Sequence, residues 1–118
     1  MNLFGSRAGG PPDRPDRRAE QRRVANARGV VSAPGVEMAC VIVDLSAGGM
    51  KLRLDRGTAL PAEVVVIDVA EGIAYPATVA WQKGQEAGLR QTGAAPLRGL
   101  TPARLTLARD AWLRAGGR

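Results

Sequence analysis

Six short apolar runs, at residues 24–32, 37–43, 50–54, 64–69, 73–82 and 87–91, divide most of this chain. Turn signals separate them: Pro34-Gly35, a loop over 57–61, Glu71-Gly72 and Lys83-Gly84-Gln85. Each run is too short to be a packed helix. Several have the two-residue alternation of a strand, clearest where Met50, Leu52 and Leu54 interleave with Lys51, Arg53 and Asp55. Short strands recurring in this way predict a mainly β fold, a small closed six-stranded antiparallel barrel rather than an open sheet with exposed edges. The run 38–43, Met-Ala-Cys-Val-Ile-Val, is apolar at both parities and is expected to be buried on both faces. The first run is imperfect at Asn26 and Gly29. On the fifth, Ala77, Val79 and Trp81 share one parity.

Between the second and third strands lies Asp44-Leu45-Ser46-Ala47-Gly48-Gly49. Read locally, this is a tight connection. Asp44 and Ser46 can hydrogen-bond the backbone, and the two glycines permit positive φ where the chain reverses. Read chemically, it places a carboxylate, a hydroxyl and a bare backbone together at a strand end. Such a group can meet the donor-rich edge of a guanine and let a flat ligand approach closely. Both readings are compatible with the residues.

Composition excludes more than it assigns. The 118 residues fit one domain. There is no histidine, and Cys40 is the single cysteine, so Ser-His and Cys-His catalytic pairs and the usual zinc sites are ruled out. No two carboxylates stand out as an acid/base couple, and the expectation is a non-enzyme with no metal and no cofactor. No apolar run approaches the roughly 18 residues of a membrane span, and the N-terminus has no secretory h-region. With the lone Cys40 this fits a cytoplasmic protein. Residues 1–28 hold seven arginines against three acidic residues, a net +4, while the other 90 hold ten basic and eight acidic residues, a net +2. The concentration of charge points to an anionic partner: nucleic acid, a membrane surface or a phosphate-bearing small molecule.

Residues 1–16, with Gly9-Gly10-Pro11-Pro12 and Pro15, read as a disordered tail. Residues 17–23 follow as an arginine-rich arm, which is either a solvated linker or a clamp for phosphates and purine faces. The barrel domain spans 17–100 including that arm. A C-terminal helix is expected over 101–115, with Thr101 as N-cap, Pro102 in its first turn, Leu105, Ala108 and Trp112 at helical spacing, and Gly116-Gly117 as the stop. Such a helix would cover one barrel opening or contact a partner, and simple packing is the better-supported role.

Two motifs stand in order. Arg18-Ala19-Glu20-Gln21-Arg22 fits RxxxR, and Asp44 to Gly49 fits (D/N)xSxxG. Together, one ahead of the first strand and the other between two strands, they resemble the PilZ domain family of bacterial cyclic di-GMP receptors. Ala77-Thr78-Val79-Ala80-Trp81 and Gly88-Leu89-Arg90 are similar to the family's late strands, so the resemblance covers roughly 17–100. One departure is Gln91, where similar sequences carry an aromatic. The resemblance implies a cyclic di-GMP site formed by Arg17, Arg18, Arg22, Asp44, Ser46, Gly48 and Gly49. Arg18 and Arg22 would engage phosphate and the O6/N7 edge of guanine. Asp44 and Ser46 would take the guanine's donor-bearing edge or neighbouring polar atoms, and Gly49 would keep the wall flat. Arg17, directly before the motif, implies an intercalated ligand pair. The arm, flexible when free, would order on binding and relay the second-messenger signal to an unidentified effector protein in trans. Two competing readings are a protein-interaction barrel without ligand and a basic nucleic-acid-binding barrel. The second lacks the aromatic row that base stacking requires.

Overall fold

The structure is a computed structural model that describes residues 26–118. Its strands are β1 (Ala27–Ala33), β2 (Val36–Ser46), β3 (Gly49–Leu54), β4 (Glu63–Asp68), β5 (Ile73–Lys83), β6 (Glu86–Gln91) and a two-residue β7 (Ala95–Pro96). They are hydrogen-bonded in the order β4-β1-β2-β3-β6-β5-β7, and β4 also pairs with β5. That last pairing closes β1 to β6 into a six-stranded barrel, antiparallel throughout. β7 is an addition without a signal in the sequence, holding Ala95-Pro96 beside Ile73 and Ala74.

The barrel is filled by aliphatic side chains, among them Val31, Ile42, Leu52, Leu54 and Val66, each 2% exposed or less. Full burial of one such side chain contributes about 1.5–3 kcal/mol. Gly29, the irregularity in β1, faces this interior. A Cβ there would lie 3.0 Å from the Ile67 carbonyl oxygen and 3.1 Å from Cys40 Sγ, so the missing side chain makes room for the residues opposite. At Asn26, φ is 57°, a left-handed turn that asparagine tolerates, and β1 starts immediately after it.

A second core lies outside the barrel. The helix α1 (Thr106–Arg114) packs Ala108, Ala111 and Trp112 against Val30, Ile67, Val69, Ala74 and Leu97. The buried Trp112 indole donates to the Val69 carbonyl at 2.9 Å, and the Arg98 guanidinium stacks over the same ring 5.4 Å from its centroid. The helix therefore covers the outer wall of β1 and β4, not a barrel opening. For the same reason the strands buried on both faces are β1 and β4. The expectation for 38–43 is corrected: on β2, Met38, Cys40 and Ile42 point inward, while Ala39 is exposed and Val41 and Val43 are half-buried.

The helix start also differs from expectation. A 3-10 turn (Ala103–Leu105) precedes α1, and neither segment has a side-chain cap. Thr101 Oγ1 donates backwards, lying 3.4 Å from the carbonyls of both Leu97 and Gly99. It secures the chain before the helix rather than the helix's first amides. At the other end, Gly116 has φ 101° and Gly117 N donates to Trp112 O at 2.9 Å, the glycine stop that the sequence indicates.

Candidate functional site

Asp44 and Ser46 reach the outer surface because β2 breaks its own alternation. Ile42 pairs with Leu52 and Asp44 with Lys51, leaving Val43 as an extra residue. Without that bulge Asp44 and Ser46 would share the inward parity of Met38, Cys40 and Ile42. With it, Leu45 takes the interior position at 7% exposure, and the carboxylate and hydroxyl turn outward. Both residues belong to the strand and not to a loop, which corrects the local reading of the hexapeptide. The connection itself is only Ala47-Gly48.

β5 repeats the device. Val79 pairs with Leu89 and Trp81 with Gly88, so Ala80 is the extra residue. Ala77 and Val79 belong to the interior, whereas Trp81 turns outward and is 46% exposed. The shared parity of the three residues is thus overturned by the bulge. Gly88 accommodates the indole: an added Cβ would collide with Trp81. Sequence reasoning did not place Trp81 in the site. The available signal was the pairing of one outward tryptophan with a strand glycine seven positions later.

Pairings across the sheet now connect these residues. Asp44 pairs with Lys51, Lys51 with Gly88, and Gly88 with Trp81. One row across four strands carries a carboxylate, an ammonium, a bare backbone and an indole. The adjacent row, Arg28, Val41, Arg53, Glu86 and Lys83, is mainly basic. Lys51 and Glu86 approach to 4.0 Å across the two rows, both substantially solvated, a weak contact.

The two glycines of the motif do different jobs. Gly48 has φ 81° and serves the turn. Gly49 begins β3 with no positive φ, and a Cβ there would meet only the Leu89 carbonyl oxygen, at 3.9 Å. Packing among the described residues does not demand glycine at 49, and its effect is a flat opening beside Ser46. Gln91, the departure from the family pattern, packs inward from β6, and its Nε2 donates to the Ser46 carbonyl at 2.6 Å.

Arg17, Arg18 and Arg22 lie outside the described residues. The position where their segment joins the barrel is defined, however. Ala27 pairs with Ile42, which places Asn26 next to the β2 bulge. Arg22 stands four positions before Asn26, a contour of at most about 14 Å.

Other features carry no chemistry for this face. Burial pushes the Cys40 thiol up to about 12, so it is a protonated core group and not a nucleophile. No cluster of three metal-ligating side chains occurs among the described residues, and no helix among them is long and apolar enough to cross a membrane. A cleft of about 340 Å³ between α1 and the barrel, lined in part by Ser32, Val64, Pro76, Arg104 and Leu107, includes none of the row residues.

No curated protein and no solved structure matches the chain. The model of one family does: PilZ domain, over residues 16–98. That match spans both motifs and all six barrel strands, and with the closed barrel and outward motif strand it places this chain in the PilZ domain family.

Proposed function

We propose that the protein is a receptor for cyclic di-GMP, which binds on the outer barrel face framed by Asp44, Ser46, Gly49, Lys51 and Trp81. The observation that carries this reading is the pair of bulges, at Val43 and Ala80, which turn Asp44 and Trp81 onto one row. A barrel needing only to fold gains nothing from turning a tryptophan outward. A planar base gains a stacking surface, worth about 1–3 kcal/mol per base. Asp44 and Ser46 accept from a guanine's N–H groups, and Lys51 supplies charge to a phosphate. Arg18 and Arg22 close over the ligand from the arm that enters beside the bulge, reading phosphate and the guanine O6/N7 edge. Arg17 adds a charge and a stacking plane for a second, intercalated nucleotide.

In this reading the protein binds and does not turn over its ligand. Closure of the arm converts ligand concentration into a new surface, which an effector protein reads. The absence of histidine from the whole sequence accords with binding rather than hydrolysis. Titration calorimetry with cyclic di-GMP, with single-stranded DNA of equal charge as the comparison, tests it. Micromolar or tighter binding of cyclic di-GMP alone is expected. Absence of heat with the folded protein overturns it, and tighter binding of DNA favours the nucleic-acid reading.

A further inference from the structure

Gln91 stands out at the rim of the barrel interior, where it is half-buried. Leu89, two residues earlier on β6, is 4% exposed, and Gln91 pairs with Ala77, itself 4% exposed. The position therefore faces the aliphatic core, yet it holds an amide. One end of that amide is used: Nε2 donates to the carbonyl of Ser46, 45 residues away in sequence. Because a carbonyl can only accept, the nitrogen must face it. The other end, Oε1, is buried and has no hydrogen-bond partner among the described residues. Buried carbonyls of this kind weaken a fold, and a hydrocarbon side chain of similar length would remove the defect.

We infer that Gln91 is a positioning residue for the binding strand, holding the Ser46 peptide so that the Ser46 hydroxyl and the Gly49 opening keep their places on the outer face. The inference rests on the reading above that this face binds cyclic di-GMP. Ser46 ends β2 and Gly49 begins β3, and only Ala47 and Gly48 connect them. Their ladder pairing, Ser46 with Gly49, is the last one before the turn, where strands fray most easily. Gln91 reaches this pairing from below, from a third strand. It ties β6 to the end of β2 across the start of β3. A core residue chosen for stability alone would leave the Ser46 carbonyl without that donor.

The test separates the two roles by their signs. Gln91→Met keeps length and apolar volume, removes the donor, and removes the unpartnered acceptor. The melting temperature without ligand is expected to stay equal or rise. Affinity for cyclic di-GMP is expected to fall about threefold to tenfold, the loss of one neutral hydrogen bond's worth of positioning. Amide hydrogen exchange at Ala47, Gly48 and Gly49 in the free protein is expected to quicken, with exchange at Leu52 unchanged. Equal affinity in variant and parent overturns the inference. So does a fall in melting temperature that accompanies the affinity loss, because Gln91 would then be an ordinary core residue. If the parent protein itself binds no cyclic di-GMP, the functional reading fails. The exchange measurement then decides the positioning claim alone, and unchanged exchange at 47–49 overturns it.

Discussion

Asp44 on β2 and Trp81 on β5 lie on one cross-barrel row, although their strands do not pair with each other. Lys51 and Gly88 connect them, and a one-residue bulge immediately precedes each of the two. Single-residue insertions are costly to a ladder, since one backbone pair is lost at each. Two of them converging on one row is the strongest local departure from regularity in the barrel.

The bulges can be removed one at a time. Deleting Val43 restores plain alternation on β2 with Ile42 still opposite Leu52 and Asp44 opposite Lys51, so Asp44 and Ser46 should stay outward and Leu45 inward. The fold should therefore survive, and a loss of cyclic di-GMP affinity would report the local kink and twist that the bulge gives to the Asp44 position. Deleting Ala80 should likewise keep the fold and leave Trp81 outward opposite Gly88, while removing the local twist that aims the indole and so weakening ligand binding. Circular dichroism melts and calorimetry check both, and parental affinity in the two deletions would refute the role given to the bulges in shaping the row.

Gly49 offers a cleaner separation of fold from function. Space exists for a Cβ, and φ is not positive, so Gly49→Ala should change stability by no more than about 0.5 kcal/mol. A methyl on the flat wall should weaken cyclic di-GMP binding about tenfold, or ~1.4 kcal/mol. Thermal melts and titrations of the same preparation measure the two effects. Equal affinity would place the ligand elsewhere.

For the arm, if Arg22 grips the ligand as proposed, Arg22→Ala should remove a charge-assisted contact of ~1.5–3 kcal/mol, roughly a ten- to hundredfold loss of affinity. Arg17→Leu should instead lower the stoichiometry from two ligands per chain toward one. A parental stoichiometry of one by calorimetry would exclude the intercalated pair. Higher salt should weaken the phosphate contacts more than the guanine contacts.

Arg114 on α1 holds Glu37 on β2 in a two-pronged pair, its Nε 3.0 Å from Oε2. The hydrogen bonds from Arg114 lower the Glu37 carboxyl below its ordinary 4.5, opposed by burial and helped by the Arg114 charge. A lowered folded value means that the pair's stabilisation is present above about pH 4.5 and is lost as pH falls through the lowered value. The pair is exposed and screened by solvent, so its worth is small. Glu37→Gln should therefore lower stability slightly at pH 7 and flatten the acid limb of the stability curve below about pH 4.5. An unchanged acid limb in urea melts would show that the pair contributes nothing.

Cys40 provides a probe of barrel opening. Its thiol is raised from 9.0 to about 12 by burial, so the folded protein should resist alkylation at pH 8, reacting only through opening. Because the folded value is raised, its contribution to stability is complete below about pH 8.5 and is lost as pH rises toward 12. Labelling followed by mass spectrometry measures the first. Rapid modification of the folded chain would contradict the placement of Cys40 inside the barrel.

Local patterns were sufficient for the strands and their closure. Alternation of Met50, Leu52 and Leu54 with charged residues defines β3. The glycine and proline punctuation marks the reversals, and a set of short strands with no long polar edge has few ways to finish other than a barrel. The paired motifs were equally legible, because they are contiguous or nearly so. Tertiary structure decided what depends on distant residues. An apolar run does not say which strand a helix will cover, and α1 chose β1 and β4 through Trp112, not β2. A bulge is one inserted residue with no sequence mark beyond the spacing of Ile42 and Leu45, so the outward turn of Asp44 and Trp81 emerged only from the ladder registers. The partner of Gln91 emerged only when β6 and the end of β2 were brought together, since the Ser46 carbonyl carries no side-chain identity at all.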